Sequence, residues 1–123
     1  MKLNIGGSKG GDVFTDQTKD WVIVDVRKEH ADVICNVSEE KLPFQDNSVE
    51  AVYTSHTLEH IYPHRLPFVL SEFHRVLLKN SSIRIVVPNI DKAIKSYVKG
   101  KNDFLKDKRN PSKPDYLPNL PLL

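Results

Sequence analysis

The sequence holds one cysteine, Cys35. A single thiol excludes an intramolecular disulfide and any zinc site built from several cysteines, and it fits a reducing compartment. No apolar run approaches the roughly 18 residues that a membrane-spanning helix needs. The glycine-rich start, Met1 to Asp12, has no apolar segment of the kind a secretory signal carries, so a cytoplasmic protein is expected. Charge of one sign is scarce too: 18 Lys+Arg against 16 Asp+Glu leave a net +2. That is too little for bulk attraction to nucleic acid or to an anionic membrane, and neither is expected as a partner. No segment repeats at roughly 20–50-residue spacing.

What the chain does have is the content of one globular domain. It has 123 residues, 39% of them hydrophobic and 28% charged. That is enough to bury a core without staples. Leu3-Asn4-Ile5 reads as a strand stopped by Gly6-Gly7-Ser8-Lys9-Gly10-Gly11. Trp21 to Val26 is nearly continuous and β-branched, which suits a strand buried on both faces. Ala31–Cys35 is a weaker third strand, Val49–Ser55 a fourth, and Ile83–Val87 a fifth, stopped by Pro88. Between the third and fourth strands, Leu42-Pro43-Phe44 is an apolar anchor in a loop. Leu66, Val69, Leu70, Phe73, Val76 and Leu77 follow helical spacing, with Pro67 in the first turn and Asn80 expected at the left-handed end. A last helix is expected from an Asp91 cap to a Gly100 stop. Arg75 and His74 read as solvated, and Cys35 as a small buried core residue. From Lys101 the composition turns to proline, lysine and asparagine. Two parts are therefore expected, a domain over 1–100 and a Pro-rich tail over 101–123, the latter a packing arm or frayed terminus.

Strands alternating with connecting segments imply parallel pairing, and ligands of such sheets bind beyond the carboxyl ends of the strands. The residues there are Gly6–Gly11, Asp25, Asn36, Ser55–His60 and Pro88–Asn89. A glycine cluster lets backbone approach a ligand closely. Asp25 stands 19 positions after Gly6, near the offset of about 20 that sets a carboxylate on ribose hydroxyls. Ser8 breaks the dinucleotide fingerprint, and Asp12-Val13 after Gly11 breaks the phosphate loop of nucleotide hydrolases. A nucleoside ligand without a phosphate suits this loop better.

Six stretches carry a family resemblance: Leu3-Asn4-Ile5-Gly6-Gly7-Ser8, Trp21-Val22-Ile23-Val24-Asp25, Leu42 to Ser48, Ser55-His56-Thr57-Leu58-Glu59-His60, Arg75-Val76-Leu77-Leu78-Lys79 and Arg84 to Asn89. In this order they resemble the Rossmann-like S-adenosylmethionine-dependent methyltransferases of the type 11 group, over about residues 2–98. The resemblance implies an α/β fold, a parallel sheet in the order 3-2-1-4-5 with helices on both faces. It also implies S-adenosylmethionine as cofactor and methyl transfer to a small-molecule or sugar-like acceptor. Gly6, Gly7 and Ser8 would face the methionine part, Asp25 the ribose, and Asn36 or Val37 the adenine. Ser55 and His56 would flank the methyl-transfer site, with His56 as base for a hydroxyl acceptor and Glu59 orienting it or sharing the role. Relatives commonly have glycine where Ser8 stands, and Lys79-Asn80-Ser81-Ser82 replaces their usual Pro-Gly-Gly turn. The family's last two strands are not expected in this chain, which leaves the fifth strand as an apolar edge that the tail or a second copy is expected to cover.

Two other readings stand beside this one. A cofactor-binding module without independent activity is the first. The second is a zinc hydrolase, because His56-Thr57-Leu58-Glu59-His60 matches H-x-x-E-H. That signature needs both histidines on one helix, which Pro63 interrupts.

Overall fold

The computed structural model describes residues 1–8 and 20–100. Five strands lie side by side: β1 (Lys2–Ile5), β2 (Val22–Asp25), β3 (Val33–Ile34), β4 (Val49–Ser55) and β5 (Leu77–Val86). Every pairing is parallel and the order is β3-β2-β1-β4-β5, as the sequence predicts. Between β4 and β5 come two 3-10 turns, Leu58–His60 and Pro63–Arg65, and the helix α1 (Leu66–Val76). A second unit begins at Asn89; its described part is the helix α2 (Ile90–Val98). The rest of the glycine cluster, the segment up to Lys19, and the Pro-rich tail lie outside the described residues. Among the described residues no helix is long and apolar enough to cross a membrane.

Register explains the core. Leu3 pairs with Val52, and Ile5 with both Thr54 and Val24, so these side chains share one face of the sheet. Val69, Phe73 and Val76 of α1 join them in one buried cluster with Cys35 and Leu42. Phe73, 1% exposed, is the largest fully buried side chain. Burying such a side chain is worth about 1.5–3 kcal/mol. The other face carries Asn4, Ile23 and Tyr53, and Trp21 stands edge-on to Tyr53 at 6.4 Å.

Three local expectations change. Asn80 does not end α1; the helix passes into β5 at Leu77. There β4 advances from Val49 to Ala51 while β5 advances from Leu77 to Ser82, and Asn80, at φ 65°, sits in the stretch that bulges out. Asparagine tolerates that left-handed turn, so the residue type was informative and its place was not. The cap of α2 is Asn89, whose side chain accepts from the Lys92 amide at 3.0 Å, and Asp91 lies in the first turn. Arg75 is not a solvated contact. Its Nε and Nη2 donate to the two oxygens of the buried Glu72 carboxylate at 2.8 and 2.7 Å. The same guanidinium donates to the carbonyls of Leu42 and Phe44 and to Asp46, while Glu72 accepts from the Leu42 amide at 2.9 Å. The β3–β4 connection has no helix to satisfy its backbone, and around Leu42 and Phe44 this fork supplies the partners.

At the carboxyl end of β1 the chain turns at Gly6, φ +72°, whose amide donates to the Val24 carbonyl at 2.8 Å. A Cβ there would overlap the Thr57 hydroxyl. Thr57 in turn donates to the carbonyls of Ile5 and Ser55 at 3.3 and 3.2 Å. The ends of β1 and β4 are thereby drawn together.

Two stability measurements follow from these contacts. Glu72→Gln keeps the shape and removes the charge, and urea unfolding at neutral pH is expected to show a loss of about 1–3 kcal/mol. Hydrogen bonds from Arg75 hold the Glu72 carboxyl below its ordinary 4.5 despite burial. Its contribution is complete above that ordinary value and is lost as pH falls through the lower native one, so the gap between wild type and variant should close in acid. Gly6→Ala is expected to cost about 1–3 kcal/mol through its positive φ and the clash with Thr57. Adding Thr57→Ala should return part of that. An equal cost in both backgrounds would show that the clash contributes nothing.

Candidate functional site

Beyond the carboxyl ends of β1 to β4 the chain encloses a cleft of about 580 Å³. That is within the roughly 300–1,000 Å³ of small-molecule sites. Each strand contributes where it stops. Ile5 and Gly6 come from β1; Val24, Asp25, Val26 and Arg27 from β2 and the turn after it. Cys35, Asn36, Val37 and Ser38 follow β3, and His56, Thr57, His60 and Ile61 follow β4. Arg65 Nε donates to the Ser38 carbonyl at 2.6 Å, tying the segment after β4 to the segment after β3.

Asp25 is the buried acid of this cleft, 7% exposed as the last residue of β2. Its Oδ1 accepts from the amide and Nε of Arg27 at 2.8 and 2.9 Å, and its Oδ2 from Nη2 at 3.2 Å. Burial pushes the carboxyl up, but the hydrogen bonds and charge of Arg27 outweigh it, so the carboxyl sits below its ordinary value. Cys35 shows the opposite balance. Burial first, then Glu40 and Glu72, push its thiol up and keep it protonated.

The other residues singled out from the sequence fall into two groups. Gly6, Asp25, Asn36, Val37 and His56 line the cleft. Asn36 folds its side chain back, accepting from the amide and hydroxyl of Ser38 at 3.2 and 2.7 Å. His56 sits at φ 53°, with Nδ1 3.4 Å from Glu59 Oε1. Gly7, Ser8, Ser55 and Glu59 are not on the lining. Gly7 packs so closely on Asn4 that a Cβ would overlap the asparagine side chain. The Ser8 hydroxyl lies 3.0 Å from His30 Nδ1, in the connection between β2 and β3. Ser55 offers its carbonyl to Thr57, and Glu59 lies between His56 and His60.

Sequence reasoning missed Arg27 and Thr57. Arg27 carried a signal, a cation two residues after a strand-end acid. Thr57 carried none, because its partner at Gly6 is distant in sequence. The H-x-x-E-H segment does not form the helix that zinc catalysis requires. His56 has a left-handed backbone, and only Leu58–His60 make a single 3-10 turn. Among the described residues no three His, Cys, Asp or Glu side chains are grouped to hold a metal ion.

The fold is shared with solved proteins. One is a SAM-dependent methyltransferase from Archaeoglobus fulgidus, with 25% identity and a TM-score of 0.63 over 79% of this chain and 50% of that one. Another is the PH0226 protein from Pyrococcus horikoshii OT3, with 20% identity and a TM-score of 0.57 over 80% of this chain and 52% of that one. The chain thus spans about half the length of these structures. A comparison with curated proteins finds no match. A family model described as a methyltransferase domain matches residues 14–85. That match covers more than half of the sequence, through the site-bearing ends of β2, β3 and β4, and the chain belongs to the type 11 methyltransferase domain family.

Proposed function

We propose that this chain binds S-adenosylmethionine in the cleft and directs its methyl group to a small or sugar-like acceptor. The observation that carries the reading is Asp25, a buried carboxylate beside the glycine turn of β1 in a cleft of nucleoside size. Such a carboxylate accepts from two adjacent ribose hydroxyls. Gly6 leaves room for the methionine part at the end of β1, with Gly7 and Ser8 shaping the turn beside it. Asn36 and Val37 form the wall against the adenine, and Ser55 and His56 stand at the methyl-transfer side.

S-adenosylmethionine supplies a methyl already activated on a sulfonium. What remains for the protein is to align the acceptor and exclude water, the contribution that proximity makes to most such transfers. For a hydroxyl acceptor, His56 takes the proton, and Glu59, with Oε1 3.4 Å from Nδ1, orients the ring. Cys35 needs the protonation that burial gives it, because a thiolate in this wall would compete for the methyl group.

Calorimetric titration of S-adenosylmethionine and S-adenosylhomocysteine tests the assignment. Saturable micromolar binding is expected, weakened by about 1–3 kcal/mol in Asp25→Ala through loss of a charged hydrogen-bond partner. Absence of binding at millimolar cofactor would overturn it. Binding that Asp25→Ala leaves untouched would move the ribose elsewhere.

A further inference from the structure

We propose that Arg27 competes with the ligand for Asp25, so that its guanidinium sets how strongly this cleft takes a vicinal diol. The inference rests on the reading of Asp25 as the ribose acceptor and goes one step further. It turns on how many acceptor positions the carboxylate has left.

A carboxylate offers about four acceptor positions across its two oxygens. Arg27 fills three of them: Oδ1 takes the amide and Nε, and Oδ2 takes Nη2. A vicinal diol donates twice. It therefore cannot seat both hydroxyls on Asp25 while Arg27 keeps all its contacts.

The contacts differ in how readily they yield. The amide of Arg27 belongs to the turn that leaves β2, only two residues from Asp25, and its 2.8 Å bond is the shortest of the three. The Nη2 bond, at 3.2 Å, is the longest. The Arg27 side chain is 52% exposed and lies on the cleft lining, against 6% for the Asp25 side chain. A half-exposed guanidinium swings into water at little cost, because hydration replaces most of what it leaves. The side chain yields and the amide stays. The carboxylate then keeps its orientation, held by the backbone, and presents Oδ2 and part of Oδ1 to the ligand.

Arg27 is thus a residue that tunes affinity and selectivity by occupying the diol's seat. Its removal has an unusual sign: truncating a cation that lines the cleft tightens binding. The gain is confined to ligands that carry the diol, since a ligand without it leaves the ion pair in place.

Calorimetry at neutral pH, with S-adenosylhomocysteine and its 2′,3′-dideoxy analogue as probes, tests this on wild type, Arg27→Ala and Arg27→Lys. Arg27→Ala is expected to bind S-adenosylhomocysteine roughly two- to fivefold more tightly, the scale of a partly exposed ion pair. The dideoxy analogue should change by less than about twofold. Arg27→Lys keeps a cation without the two-pronged geometry and is expected to fall between. Unchanged or weaker binding of S-adenosylhomocysteine by both variants, with wild type binding measurably, would overturn the competition and leave the cofactor reading intact. Equal tightening of the dideoxy analogue would overturn it as well. No binding by any of the three proteins would overturn the cofactor reading and this inference together.

Discussion

The fork between Arg75 and Glu72 holds a stretch of the molecule that has no regular secondary structure of its own. In a parallel sheet every connection must return from the carboxyl end to the amino end, and a helix normally satisfies the backbone on the way. The connection from β3 to β4 has no such helix. Around its middle, the Leu42 amide and the Leu42 and Phe44 carbonyls are instead met by two side chains three residues apart on α1. Buried pairs of this kind gain little net stability, because desolvation offsets the attraction. Their value is in the path they impose: Leu42 enters the core at 2% exposure, and the chain from Cys35 to Ser38 is left as a wall of the cleft.

The cleft itself follows from strand order. With β1 in the middle and β2 and β4 on its two sides, the strand order reverses at β1, and sheets of this kind bind ligands at the carboxyl ends beside that point. Two residues with left-handed backbone mark where the chain turns out of the sheet, Gly6 after β1 and His56 after β4. Thr57 bridges the strand ends just before them, its one hydroxyl shared between the Ile5 and Ser55 carbonyls. The cleft is therefore fixed at its floor by a side chain that packs against a missing Cβ, which is why glycine and threonine are tied together although they are far apart in sequence.

Much of this was legible in the sequence, and the limits are physical. β4 was read from Val49 to Ser55, the bounds it has, because alternation and β-branching are local signals. The pairing of Gly6 with Asp25 was legible because the offset between two strand ends is set by one crossover. Arg75 was misread because a cation on a helix looks the same in sequence whether it meets water or a loop some thirty residues away. Asn80 was the right residue type for a left-handed turn, but a bulge and a helix end ask for the same chemistry. Ser55 and Glu59 sit beside the cleft and not on it, since spacing places a residue within a turn but not on one side of it.

The two sides of the cleft also differ in how they are prepared. On the β2 side the acid is preformed: its backbone partner fixes the rotamer, and Arg27 keeps it ionised. On the β4 side His56 and His60 both approach one Glu59 oxygen, at 3.4 and 4.0 Å, and both rings are largely exposed. A rigid acceptor suits a ligand part that must always dock the same way. The acid side of the cleft is built by β-strand geometry, whereas the histidine side is built by a single 3-10 turn after β4.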